Sequence, residues 1–187
     1  MMRIGIFASG TGSNAQKIID YFKNKNPDII VSLIVCNNPN AKVLEVAKKH
    51  GIKSLLITKV EFNSQEFLHT LENHAKLDLI VLAGFLWLIP KEFIRKFKGK
   101  IINIHPALLP GFGGKGMYGM AVHKAVKESG NKETGITIHY VNENFDEGEI
   151  IFQAKCSIKE KDTPESIALK IQKMEHKHYP RIIESLV

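Results

Sequence analysis

Arg3-Ile4-Gly5-Ile6-Phe7-Ala8-Ser9-Gly10-Thr11-Gly12-Ser13-Asn14-Ala15 decides the fold. Its first six residues form an apolar run too short for the core of a signal peptide, and it stops at a glycine turn. Beyond the turn, Ala15, Ile18, Ile19 and Phe22 recur at i, i+3, i+4 and i+7, which is the spacing of one helix face. Strand, tight turn and helix in that order open an α/β fold.

The same alternation continues downstream. Strands are expected at 3–8, 29–36, 53–57, 78–83 and 100–105, with helices near 14–24, 41–50, 64–76 and 91–97. That rhythm predicts a doubly wound, mostly parallel sheet with right-handed crossovers, helices on both faces and a Rossmann-like N-terminal half. After residue 110 the pattern changes. A glycine-rich loop, Gly111 to Gly119, leads to a helix near 119–129, and two strands are expected at Thr134–Val141 and Glu149–Ser157. A last helix opens at Asp162-Thr163-Pro164-Glu165, where Thr163 can cap and Pro164 suits the first helical position. With no linker, repeat or low-complexity tract, residues 1–187 read as one domain.

Composition sets the class. The 187 residues are 44% hydrophobic and 24% charged, ordinary for a globular chain. No apolar run approaches the roughly 20 residues that span a bilayer, so no membrane partner is expected and a cytoplasmic location is. Cys36 and Cys156 stand singly, without metal-ligand spacing or a disulfide framework. The net charge of +7 favours anionic ligands. Its lysines are scattered rather than massed in a stripe, which argues for a small anionic substrate and against nucleic acid.

Glycines at the end of the first strand permit a tight turn, and free amides at the helix start attract an anion. The spacing also fits the dinucleotide fingerprint, but that fingerprint wants an acid near the end of the second strand. Here the second strand ends Cys36-Asn37-Asn38-Pro39. A phosphate monoester fits better than NAD.

Chemistry is concentrated in Ile101-Ile102-Asn103-Ile104-His105-Pro106-Ala107-Leu108-Leu109-Pro110. Side chains two apart on a strand share a face, so Asn103 and His105 put an amide and an imidazole together at a strand end. Such a pair suits a carbonyl oxygen that gains charge during acyl transfer. Thr137 and His139 share a face in the same way, with His139 read either as a satisfied core histidine or as a site residue. Asp146 follows in the turn 142–148, and a carboxylate beside His105 would favour the imidazolium and could take a proton from an attacking amine. In the last helix Ile171, Glu175, His178 and Ile182 are expected on one face. A buried Glu175 needs a cation, either a Lys or Arg or a substrate amine. Leu82–Pro90 ends the fourth strand with an apolar, aromatic lip of the kind that walls a ligand crevice.

Taken together, Ser9–Asn14, Leu82–Phe85, Asn103–Pro110, Thr137–His139, Asp146–Gly148 and Gln172–His176 make the chain resemble the glycinamide ribonucleotide (phosphoribosylglycinamide) formyltransferases. The resemblance runs from residue 3 to about 184. It implies the formyltransferase fold, with a nucleotide-phosphate-binding half over about 1–100 and a folate-binding and catalytic half over about 101–187. It also implies transfer of a formyl group from 10-formyltetrahydrofolate to the amine of the ribonucleotide in purine biosynthesis. On that resemblance Gly12, Ser13 and Asn14 would hold the phosphate and Glu175 the glycinamide part. The folate would lie against Gln65, Leu86, Trp87, Leu88, Ile89 and Asn103, under the loop Asn142, Glu143, Asn144 and Phe145. His105 and Asn103 would stabilise the tetrahedral oxyanion, and Asp146 would orient His105 and shuttle the amine's proton. His139 and Lys115 are further candidates, Lys115 being either an exposed loop lysine or a phosphate contact.

No metal is implied, and the expected assembly is a monomer or homodimer. Some relatives carry arginines where this chain has Gln65 and Trp87. Neither the C-terminal domain of a methionyl-tRNA formyltransferase nor the N-terminal regulatory domain of a formyltetrahydrofolate deformylase is expected here. Two other readings remain: formyl transfer to a different amine, such as an amino sugar nucleotide, and a non-catalytic nucleotide-binding module using only the glycine loop.

Overall fold

β-Branched residues dominate the runs that pair. In the computed structural model, which describes residues 1–186 and only the backbone of His74, they build one seven-stranded sheet. Its strands are β1 (Met2–Ala8), β2 (Ile29–Cys36), β3 (Lys53–Leu56), β4 (Leu79–Leu82), β5 (Lys100–His105), β6 (Glu133–Tyr140) and β7 (Ile150–Ser157). The spatial order is β3-β2-β1-β4-β5-β6-β7. β1 to β5 pair in parallel, and β6 and β7 add an antiparallel extension at the β5 edge.

The strand order reverses between β1 and β4. A crevice opens outside the carboxyl ends of the strands at such a switch point. Alternation along β1 feeds both layers: Ile4, Ile6 and Ala8 face one core, and Phe7 faces the other. The first layer holds α1 (Ser13–Lys25), α2 (Val43–His50) and α7 (Pro164–Ser185). The second holds α3 (Lys59–Phe62), α4 (Gln65–His69) and α5 (Lys91–Lys96), where Phe62, Phe67 and Phe93 pack on Phe7. Each fully buried Ile or Phe contributes about 1.5–3 kcal/mol. α6 (Met120–Glu128) packs beside α7.

Two expectations need correction. The helix expected over 64–76 is broken: α4 ends at His69 and passes into a π-helical turn, Thr70–His74. A short α3 precedes it, started by a capping box in which Thr58 and Glu61 bond reciprocally. In α7 the buried positions are Ile167, Ile171, Tyr179, Pro180 and Ile183. His178 is only half-buried, stacked on Phe152 at 5.1 Å. The start of α7 is as expected, with the Thr163 hydroxyl accepting from the Ser166 N–H at 3.2 Å and Pro164 at the first position. None of the described helices is long and apolar enough to cross a membrane.

Candidate active site

At the carboxyl end of β1, Gly12 caps α1 with φ 75°, a left-handed backbone that side chains disfavour. A Cβ there would also lie 2.9 Å from Val43. Glycine is therefore required twice over, and the bare backbone presents the first N–H groups of α1 to the crevice. Those groups lack intrahelical partners, and no acidic side chain occupies the first turn. Such a helix start can cradle an anion. Asn14 extends the cradle, its amide donating to Glu175 of α7 at 2.8 Å. Burial pushes the Glu175 carboxyl up, and the Asn14 bond offsets only part of that rise.

The second cluster comes from β5, β6 and the turn after β6. Register pairs Asn103 with His139 and His105 with Thr137, so all four share one end of the sheet. Asp146, carried on a left-handed residue (φ 57°), reaches back over them. Its Oδ1 accepts from the Asn103 amide at 3.3 Å and lies 3.6 Å from His139 Nε2. Its Oδ2 lies 3.4 Å from His105 Nδ1 and accepts from the Gly114 N–H at 3.0 Å. Burial alone would raise the carboxyl, but the facing His105 and the Gly114 N–H outweigh it and hold it well below the usual carboxylate range.

His105 is buried, and its Nε2 donates to the Phe112 carbonyl at 2.7 Å. With acceptors at both nitrogens, the ring can donate on both sides only as the imidazolium. His139 donates through Nδ1 to the Tyr140 carbonyl at 2.8 Å, which leaves Nε2 to accept from Asn103 at 3.2 Å.

The turn that carries Asp146 is fixed by a close approach. Gly148 packs against the Tyr140 carbonyl so tightly that a Cβ would collide with it. The Asn142 side chain accepts from the Asn144 N–H at 3.0 Å, and Glu143 is held outside by Arg95 at 2.7 Å and Lys91 at 3.3 Å.

Both clusters line one cleft of about 500 Å³. The glycine loop stands at one end, with Glu175; Asn103, His105, His139 and Asp146 stand at the other; and Leu86, Trp87, Leu88 and Ile89 form an apolar wall. Asn144, Phe145 and Lys115 complete it. Lys115 is the one Lys or Arg among the described lining residues. Three expected folate contacts are not in the lining. Gln65 sits exposed at the start of α4, Asn142 turns inward to its own loop, and Glu143 is engaged by the two cations.

Sequence reasoning missed the supports. Thr137 is fully buried, and its hydroxyl donates to the Ala107 carbonyl at 2.7 Å while accepting from Leu109 N–H at 3.0 Å and Gln153 at 2.9 Å. It hangs the segment after His105 from the sheet. Tyr179, also fully buried, donates to the Leu82 carbonyl at 2.9 Å, where β4 gives way to the lip. The shared face of Thr137 and His139 was the available signal for the first; nothing in the spacing marks the second.

A family described as formyl transferase matches residues 2–183. The phosphoribosylglycinamide formyltransferase of Bacillus subtilis is 40% identical over 192 residues, spanning 100% of this chain and 95% of that protein. The chloroplastic phosphoribosylglycinamide formyltransferase of Arabidopsis thaliana is 39% identical, and the match covers 98% of this chain but 65% of the plant protein. Among solved structures, glycinamide ribonucleotide transformylase 1 from Geobacillus kaustophilus superposes with a TM-score of 0.89 at 35% identity, covering 100% of this chain and 98% of that one. The corresponding formyltransferase from Bacillus halodurans gives a TM-score of 0.88 at 37% identity, covering 98% and 94%. Matched from end to end in sequence and in fold, the chain belongs to the formyl transferase family.

Proposed function

We propose that this protein transfers the formyl group of 10-formyltetrahydrofolate to the amine of 5'-phosphoribosylglycinamide, a step of de novo purine (IMP) biosynthesis. The observation that carries the reading is the cleft itself. The anion-binding helix start and the Asn–His–Asp cluster line the same cleft, so one ligand that carries both a phosphate and a reacting amine can engage both. The names of the relatives support the same substrate.

In this reading Gly12, Ser13 and Asn14 hold the phosphate through backbone amides, and Glu175 accepts from the amine-bearing arm. Leu86, Trp87, Leu88 and Ile89, with Asn144 and Phe145, give the cleft a largely apolar stretch of lining that would take a bicyclic pterin. The folate supplies the activated formyl carbon. The protein's part is to hold two reactants in register, which itself lowers the barrier, and to meet the charge that develops. Asn103 and His105 donate to the formyl oxygen as it becomes anionic, the bound oxygen replacing the Asp146 carboxylate at the Asn103 amide and the Phe112 carbonyl at His105 Nε2. Asp146 orients His105 and shuttles the proton that the attacking amine loses to the folate nitrogen as that nitrogen's bond to the formyl carbon breaks. Lys115, next to the Gly114 that bonds Asp146, adds positive potential to the cleft. His139 fixes the Asn103 amide from behind. Small molecules are the only partners this chemistry needs, and a cytoplasmic location follows from the same reading.

Incubation with 10-formyltetrahydrofolate and the ribonucleotide should yield tetrahydrofolate and the formylated amide, and absence of turnover with an active folate stock would reject the assignment. His105→Ala should lower kcat by about two orders of magnitude or more. A near wild-type rate would remove His105 from the mechanism.

A further inference from the structure

Taking the apolar lip as the pterin wall of the reaction above, we propose that Ser9 is a positioning residue that aims this lip by holding the Leu86 N–H. Ser9 follows the last residue of β1 and is 6% exposed. Its hydroxyl is therefore withdrawn from the crevice that Gly10 to Asn14 line, and it is no ligand for a substrate anion.

Its bonds run sideways. The Ser9 N–H donates to the Gly84 carbonyl at 3.0 Å, continuing the β1–β4 ladder after the Ala83 N–H to Phe7 carbonyl bond at 2.9 Å. There the chain turns through Gly84 at φ 74°, and pairing ends. The Leu86 N–H, which the turn would strand, donates to Ser9 Oγ at 3.0 Å. On the other side the Ser9 carbonyl accepts from the Asn38 amide at 3.3 Å.

The position of the Leu86 nitrogen decides what the lip shows to the cleft. Alternation about that point sends Phe85 onto Phe7 (5.5 Å) and Phe62 (5.4 Å), and Trp87 onto Phe62 (5.7 Å). Leu86 and Leu88 are left to stand 51% and 39% exposed in the cleft wall. Loss of the hydroxyl frees the Leu86 N–H and loosens this alternation, whereas the backbone amides that form the anion cradle keep their places.

The chain has one tryptophan, Trp87, so its fluorescence reports on the lip without any substrate. In Ser9→Ala, acrylamide quenching of Trp87 should rise in the folded protein at a temperature well below its melting point. The KM for 10-formyltetrahydrofolate should rise by up to about tenfold, the size of one lost hydrogen bond, with the KM for the ribonucleotide within about twofold. Ser9→Cys, which keeps the size but accepts weakly, should fall between the two. Unchanged quenching in both variants, or the two KM values rising together, would overturn the proposal, because a merely structural serine moves only the melting temperature. Quenching needs no turnover, so a wild-type protein inactive with folate would retire the assigned reaction, while the coupling of Ser9 to the lip would still stand or fall on the fluorescence.

Discussion

The two ends of the cleft are made of different material. The anion end is backbone: a left-handed glycine and the amides of one helix start. The reacting end is side chain: an amide, two imidazoles and a carboxylate, each bonded to another. A site made of backbone tolerates exchange of its side chains and fails when its conformation is denied. A site of interlocked side chains fails when any member is lost, because each holds its neighbour's orientation or protonation.

The largest expected effect tests that contrast at the reacting end. Asp146→Asn keeps the shape but removes the charge facing His105 and the proton acceptor, and kcat should fall about 10³-fold with the ribonucleotide KM little changed. A loss confined to KM would show that the carboxylate serves binding alone.

Glu175→Gln comes next. Without the charge, the KM for the ribonucleotide should rise at least about tenfold, the cost of a charge-assisted hydrogen bond. The stability effect has the opposite sign. The folded carboxyl sits above its ordinary 4.5, so the folded state binds the proton more tightly, and ionisation costs stability as pH rises through the folded value. Melting temperatures should favour the Gln variant at neutral pH, and the gap should close as pH falls toward 4.5. A gap independent of pH would remove the burial argument.

Gly12→Ala is smaller in rate but sharper in meaning. It denies the left-handed turn at a cost of about 1–2 kcal/mol and pushes on Val43, so both stability and ribonucleotide affinity should drop while kcat survives. Ser13→Ala should do least, with a KM within about threefold of wild type, since the amide rather than the hydroxyl binds. If Ser13→Ala proved as damaging as Asp146→Asn, the distinction between the two ends would collapse.

The parts that were legible in the sequence are those where chemistry follows from local pattern. The period-2 spacing of Asn103 and His105, the glycines after β1 and the Thr163 cap each carry their own geometry. Asp146 was legible only through the family resemblance, because its meeting with His105 depends on where a turn 41 positions later folds back. The break of the 64–76 segment was hidden for the reverse reason. Its apolar pattern is helical throughout, while the π-turn at Thr70–His74 divides it. Gln65 and Glu143 lie outside the cleft lining, a placement that a linear match cannot foresee because it says nothing about exposure or about Arg95 and Lys91 on a neighbouring helix. The supporting roles of Ser9 and Tyr179 are silent in sequence, since a buried hydroxyl looks like any other until its backbone partners are known, and Thr137 offered only the face it shares with His139.

Gly148 carries a consequence beyond its own turn. The stretch Asn142–Glu147 has the composition of a loose surface loop, yet the contact of a bare α-carbon with the peptide oxygen of Tyr140 turns it into a stiff bracket. A methyl group added there would touch no reacting atom and alter no charge. It would nonetheless lift the whole bracket, and the acid mounted two residues earlier would swing out of reach of both imidazoles.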